Sequence, residues 1–299
     1  MKKILIFGGS GFLGSWITKS LLKKNLKITI FDLRIKTELL KNLIGDELNN
    51  IDFIEGDITD FEGVLKATKD MDYILNLAGL MTPDCSSNPS LGLEVNVKGS
   101  INVFEAIKRN NIKFLIYTSS GGVYGNEDKY NPFPETHYGA FKLAVEGIAR
   151  AYFNESLISS VGLRPFVIYG PGREIGGTAG VTLACKAAKQ NHKYTVGFSG
   201  KAGFVYVEDV TNLVERLIDK SPVGALTINV NGITASVEDF LSIIKKNIPD
   251  AEVTLNGKPI SVVEEILGGE PSKIFKDFKY TSLDPVSYTH LTLPTTLLV

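Results

Sequence analysis

The sequence predicts an α/β protein built on a doubly wound parallel sheet, with a smaller C-terminal part attached. Three observations lead there. Short apolar runs alternate with helical patterns through the first half of the chain. A glycine-spaced turn joins the first of those runs to the first helical pattern. After Arg164 the alternation stops, and Pro165, Gly170-Pro171-Gly172 and Gly176-Gly177 punctuate the chain. Strands that alternate with helices form βαβ units, hence a parallel sheet covered on both faces.

The elements follow in order. Residues 4–7, Ile-Leu-Ile-Phe, read as a strand by β-branched and aromatic content. Residues 12–24 carry apolar side chains at helical spacing and end in two lysines and an asparagine. Strands are expected over 27–31 and 51–55, a helix over 61–69, and a strand over 73–77. A long helix over 91–109 leads to a strand over 114–118, and another amphipathic helix covers 138–153. Beyond Pro165, helices are expected near 182–190, 207–219 and 237–246. These patterns divide the chain into a dinucleotide-type domain over 1–164, with a segment returning to it near 204–220. A smaller substrate domain takes 165–203 and 221–284.

Composition removes several functions. The 299 residues are 43% hydrophobic and 22% charged, with a formal net charge of -1. That is ordinary globular composition, and no basic excess invites nucleic acid or an anionic membrane. The two cysteines, Cys85 and Cys185, are too few for a disulfide framework and lack metal-ligand spacing. Both are expected to be reduced packing residues of a cytoplasmic protein, and no metal site is expected. The apolar run after Lys2-Lys3 stops at Gly8, too short for a secretory signal. No stretch reaches the roughly 20 apolar residues of a membrane span.

The stretch Gly8-Gly9-Ser10-Gly11-Phe12-Leu13-Gly14 leaves a strand and opens a helix. Gly8 suits a tight turn, Gly11 lets backbone N–H groups approach a pyrophosphate, and Gly14 lets the helix pack close to the sheet. Asp32 ends the second strand, eighteen residues after Gly14. A carboxylate there accepts both ribose hydroxyls of NAD and repels the 2′-phosphate of NADP. This is the arrangement of a Rossmann-type fold, so NAD is the expected cofactor, although Arg34 nearby softens the preference.

Tyr138-Gly139-Ala140-Phe141-Lys142 sets Tyr and Lys one helical turn apart on one face. A free phenol ionises near pH 10, and a neighbouring ammonium is expected to lower that value. Tyr138 then exchanges a proton with a substrate hydroxyl while hydride moves. Thr118-Ser119-Ser120-Gly121 follows the fifth strand, at the carboxyl edge where ligands bind in such sheets. Side chains leaving a strand alternate in direction, which favours Ser120 over Ser119 as the substrate's hydroxyl partner.

With these motifs in view, the chain resembles the extended short-chain dehydrogenase/reductases, the NAD-dependent epimerase/dehydratase family, from Met1 to about Val210. The matches are Gly8-x-x-Gly11-x-x-Gly14, Gly56-Asp57-Ile58, Asn76-Leu77-Ala78-Gly79 and Asn96-Val97-x-Gly99. They continue through Ser119-Ser120-x-x-Val123-Tyr124-Gly125, Tyr138-x-x-x-Lys142, Leu163-Arg164-Pro165 and Tyr169-Gly170-Pro171-Gly172. The segment from Phe204 to Val210 closes the set. The resemblance implies that Asp57 and Ile58 flank the adenine and that Ala78 and Gly79 line the cofactor. It also implies that Ser120, Tyr138 and Lys142 form a catalytic triad.

Two departures bear on substrate. Nucleotide-sugar members often carry Asn where this chain has Val167, and Arg-Asp where it has Ala202-Gly203. Those polar groups hold a sugar-nucleotide diphosphate; Lys201 and Arg173 are candidates to replace them. The expected function is hydride transfer on a sugar or nucleotide sugar through a keto intermediate. The alternatives are net dehydrogenation of a small hydroxy acid, aldonate or amino alcohol, and non-catalytic dinucleotide binding. The expected partners are the small-molecule substrate and, as an assembly, a homodimer. Residues 285–299 contain no Asp, Glu, Lys or Arg and resemble a translated sequencing adapter, so the natural sequence is expected to stop near Asp284.

Overall fold

The computed structural model describes residues 1–126, 128–260 and 263–283. The first half runs β1 (Lys2–Phe7), α1 (Phe12–Leu21), β2 (Leu26–Asp32), α2 (Glu38–Ile44), β3 (Asp52–Glu55), α3 (Phe61–Ala67) and β4 (Tyr73–Asn76). It continues with α4 (Thr82–Ser87), α5 (Pro89–Leu93), α6 (Gly99–Arg109), β5 (Phe114–Thr118), α7 (His137–Ser156) and β6 (Ser159–Pro165). Then come β7 (Val167–Tyr169), α8 (Gly180–Lys189), β8 (Tyr194–Val196), β9 (Lys201–Tyr206) and α9 (Val207–Lys220). Next are β10 (Ala225–Val230), β11 (Ile233–Ser236), α10 (Val237–Asn247) and β12 (Val253–Leu255).

Seven strands form the main sheet in the order β10-β6-β5-β4-β1-β2-β3, every neighbouring pair parallel. The order reverses between β1 and β4, and a crevice opens there beyond the carboxyl ends of the strands. Strand β1 shows why the sheet is covered on both faces. Ile4 and Ile6 enter one buried cluster with Trp16, Ile17 and Leu213. Leu5 and Phe7 enter another with Val64, Phe104 and Val145. Alternate residues of a strand face opposite ways, so a continuous apolar run needs helices on both sides.

Beyond β6, a three-stranded sheet β11-β9-β7 and a two-stranded sheet β12-β8 make up the smaller part. Strand β10 falls in the stretch that sequence pattern assigned to the substrate domain, and it pairs with β6 in the main sheet. Strands β6 and β10 lack an obvious sequence signal. Gly162 of β6 lies under Tyr117, where a Cβ would come within 2.6 Å of the ring. Burial, rather than branched side chains, makes that segment a strand. The expected non-native tail, 285–299, and its boundary at Asp284 lie outside the described residues. No helix among the described residues is long and apolar enough to cross a membrane.

Candidate active site

The crevice is assembled from the carboxyl ends of five parallel strands. After β1, Gly8 turns with φ of 71° and donates its N–H to Phe31 O at 2.8 Å. A Cβ on Gly8 would lie 2.8 Å from the Ala78 nitrogen, and one on Gly14 would lie 2.5 Å from Gly9. Those two glycines let the loop after β1 touch the loop after β4, and let α1 lie against the turn. At Gly11 the nearest atom to such a Cβ is Gly8 O at 3.6 Å, so that position faces open crevice. Gly11 is also the N-cap of α1 and offers no side-chain cap. The first-turn N–H groups, including those of Phe12, Leu13 and Gly14, therefore have no intrahelical acceptor. Together with the helix dipole they make a site for a diphosphate.

Asp32 closes β2 beside this loop. Its Oδ2 accepts from Ser10 N at 3.1 Å and Ser10 Oγ at 2.7 Å, and its Oδ1 accepts from Leu33 N at 2.9 Å. Three of the carboxylate's roughly four lone-pair sites are thus taken, and Oδ1 keeps one for a ribose hydroxyl. Past β3, Asp57 is exposed and accepts from Thr59 N and Oγ1, both at 2.8 Å. Ile58 is buried against Gly99, whose absent Cβ would sit 2.8 Å from its Cγ2. After β4, Ala78 N donates to Asn76 Oδ1 at 3.2 Å, and Gly79 is exposed. A dinucleotide fits this donor set: open amides at the helix start, a carboxylate at the ribose position, and glycine where the chain must stay thin.

Asn96 holds the next residue in place. Its Oδ1 accepts from Leu80 N at 2.7 Å and its Nδ2 donates to Leu80 O at 3.0 Å. The long helix expected over 91–109 is continuous but carries a π-helical stretch at Glu94–Lys98, and Asn96 sits within it. Such one-turn widenings frequently mark functional sites. Read from the sequence alone, Asn96 is an ordinary polar residue near a helix start.

After β5 the two serines separate. Ser119 is buried and donates to Glu146 Oε1 at 2.6 Å. Ser120 caps a short turn by accepting from Gly122 N at 3.0 Å, and its hydroxyl lies close enough to favour the Tyr138 phenolate. Tyr138 stands in the first turn of α7, which Thr136 caps through Gly139 N at 3.0 Å. Lys142 lies one turn on and is 6% exposed. It donates from Nζ to Thr118 O at 2.7 Å and lies 5.6 Å from the Tyr138 ring centre. The geometry thus brings Ser120, Tyr138 and Lys142 to the mouth of β5, beside Gly79.

The electrostatics differ from the expectation in one respect. The sequence reading has the Lys142 ammonium lowering the Tyr138 pKa. In the structure burial dominates and pushes the phenol up, while the Ser120 hydrogen bond and the Arg173 charge pull it down. Burial also lowers Lys142 to about 8. Desolvation disfavours the charged form of both groups.

Beneath the serines lies a network that sequence reasoning did not identify. Arg164 of β6 donates to Glu146 through Nε at 2.7 Å and Nη2 at 2.6 Å, a bidentate buried pair. Its Nη1 donates to Tyr124 Oη at 2.6 Å, and Tyr124 meets Asn229 of β10. Glu146 follows Lys142 by four residues, so one face of α7 carries Tyr138, Lys142 and Glu146. That spacing was the available signal.

Of the two candidates for anion recognition, Lys201 is exposed at the start of β9, while Arg173 points into the crevice. Val167 and Ala202 are both buried, and a Cβ on Gly203 would collide with Asn231 O. Among the described residues, no cluster of His, Cys, Asp and Glu could hold a metal, and both cysteines are buried and free.

A glycine-cradled helix start beside a carboxylate-ended strand, with Ser, Tyr and Lys at the next crevice wall, defines a dinucleotide-dependent oxidoreductase. The chain belongs to the NAD dependent epimerase/dehydratase family, whose profile matches residues 4–230. It is an enzyme of the extended short-chain dehydrogenase/reductase type, and its cofactor is NAD. It is 30% identical over 245 residues to a decarboxylating sterol-4-alpha-carboxylate 3-dehydrogenase of Candida albicans, covering 74% of this chain and 67% of that one. It is 29% identical over 294 residues to a putative UDP-glucose 4-epimerase of Methanocaldococcus jannaschii, covering 92% and 90%. A solved UDP-N-acetylglucosamine 4-epimerase from Methanobrevibacter ruminantium M1, in complex with UDP-N-acetylmuramic acid, superposes with a TM-score of 0.82. The identity is 25%, and 96% and 97% of the two chains are covered.

Proposed function

We propose that this enzyme moves hydride between NAD and a secondary carbinol of a sugar or nucleotide sugar, through a transient keto intermediate. The observation that carries this reading is the convergence of Ser120, Tyr138 and Lys142 beside Gly79. Its likeness to two proteins described as 4-epimerases supports the substrate class. Bound NAD supplies the hydride acceptor. The Gly8–Gly14 loop and α1 hold its diphosphate, and Asp32 holds the adenosine ribose. Asp57 and Ile58 flank the adenine, and Ala78 and Gly79 line the crevice.

Tyr138 takes the hydroxyl proton as the C–H bond gives up hydride, and returns a proton when hydride comes back. Ser120 donates to the substrate oxygen and fixes its distance from the phenol. Lys142, charged below about pH 8, is fixed by its bond to Thr118 O one turn from Tyr138 and holds its ammonium beside the ring. With NAD bound, reduction of the keto carbon from its opposite face would invert it, whereas product leaving as the ketone would give net oxidation.

Net dehydrogenation of a small hydroxy acid is the second reading, favoured by the lack of a polar side chain at Val167, Ala202 and Gly203, which are buried in the small sheet. The test is to incubate the NAD-loaded protein with UDP-galactose, UDP-glucose and a panel of hydroxy acids. Epimerisation without lasting NADH absorbance supports the first reading. NADH accumulation with a hydroxy acid supports the second, and neither outcome with any substrate sinks both.

A further inference from the structure

Arg173 sits on the loop that follows β7. The loop is pinned at its base, where Trp16 Nε1 donates to Pro171 O at 2.9 Å and Arg173 N donates to Gly170 O at 3.1 Å. Gly172 and Gly176 adopt φ of 89° and 107°, conformations that favour glycine. This backbone turns the Arg173 side chain inward. Its guanidinium carbon lies 6.0 Å from the Phe12 ring centre, above the phosphate loop. Nη2 donates to Thr178 Oγ1 at 3.1 Å. A Cβ on Gly176 would be 3.4 Å from that Nη2 and 3.6 Å from Met81 Cε, so the loops after β7 and β4 approach each other at Gly176, beside the guanidinium.

Two facts about this group are unusual. Its Nε is buried and has no hydrogen-bond partner, and no carboxylate among the described residues pairs with it. A desolvated cation with an empty donor is costly unless something completes it. The planar fork of arginine is suited to carboxylate or phosphate. Its charge acts on the Tyr138 phenol, the largest charge interaction there.

We propose that Arg173 is the anion-recognition residue of the substrate site, and that the substrate carries a carboxylate close to its reacting hydroxyl. The proposal rests on Tyr138 being the proton-transfer group. Two anions could meet this guanidinium: the cofactor diphosphate and a substrate carboxylate. The diphosphate already has the uncapped start of α1, whereas the neighbourhood of Tyr138 has no other unpaired cation within the described residues besides Lys142, which donates to Thr118 O. Val167, Ala202 and Gly203 are buried within the small sheet and supply no competing polar side chain.

The test uses full-length protein saturated with NAD and titrated calorimetrically with malonate and with its uncharged analogue malonamide. Malonate should bind roughly ten- to a hundredfold more tightly. Arg173→Met should remove that preference while NAD affinity changes less than about threefold, and Arg173→Lys should restore part of it. Equal binding of the two probes, or malonate binding unchanged in Arg173→Met, overturns the proposal. A loss of NAD affinity of about tenfold or more in Arg173→Met assigns the guanidinium to the cofactor and also overturns it. Tyr138→Phe should leave malonate binding intact, so failure of the proton-transfer reading shows separately, as undiminished turnover by that variant.

Discussion

At the residue scale, Asp32 and the Tyr138–Lys142 pair carry the sharpest expectations. Asp32 Oδ2 takes both Ser10 donors and Oδ1 takes Leu33 N, which leaves Oδ1 a lone pair for a ribose hydroxyl. Asp32→Ala should therefore weaken NAD by roughly ten- to a hundredfold, the value of hydrogen bonds to a charged acceptor. NADP should weaken far less, so the preference narrows; fluorescence titration of both cofactors reads it. Tyr138→Phe keeps the ring but loses the transferable proton. Turnover should fall by about 10²–10⁴ with NAD binding retained. Lys142 yields a pH prediction. Its folded pKa, about 8, lies below the free value of 10.5, so between these values the unfolded chain binds the extra proton. The charged buried form thus destabilises the ligand-free fold below about pH 8, and this penalty fades as pH climbs toward 10.5. Lys142→Met should gain thermal stability relative to the unmodified protein near pH 7, and the difference should shrink by pH 10. A difference that widens with pH would refute the buried-ammonium account.

Helix α7 and strand β6 act as a unit at the element scale. Glu146 is fully buried and accepts from Ser119 and twice from Arg164, which ties the helix carrying Tyr138 to the strand edge carrying Ser120. Removing one member leaves a buried charge without its partner, at a cost of about 3–5 kcal/mol. Glu146→Ala should lower the denaturation midpoint accordingly, and chemical denaturation measures it. Strands β7 and β9 give an opposite kind of prediction. Val167 pairs with Phe204, and Ala202 with Ala235, inside the small sheet. No polar side chain at those positions reaches a diphosphate. UDP-glucose and UDP-galactose should bind the NAD-loaded protein more weakly than small carboxylates do. Micromolar calorimetric binding of either would show that another residue holds the diphosphate.

For the whole molecule, strand order decides where chemistry happens. The strand order of the main sheet reverses between β1 and β4, so the loops holding Gly8 and Ala78 meet there and the walls on either side remain open. The alternating runs of the first half were legible because fully buried parallel strands are nearly continuous apolar segments. Strand β5, Phe114–Thr118, was readable to the residue. Strand β10, Ala225–Val230, was not: half its residues are only partly buried, and its place beside β6 depends on contacts distant in sequence. Helices α2 and α4, seven and six residues long, are too short for a clear period.

What the sequence determined by itself is the local chemistry. Glycine spacing, a strand-end carboxylate and a Tyr-Lys pair one turn apart depend on backbone geometry within a few residues, and local geometry is written in local sequence. What only the tertiary structure decided is which charges meet. Arg173 lies over Phe12 with its charge acting on Tyr138, Glu146 takes Arg164, and Asn96 grips Leu80. It also decided the direction of the Tyr138 shift, because desolvation depends on everything packed around the phenol, and no spacing along the chain encodes how much water a side chain has lost.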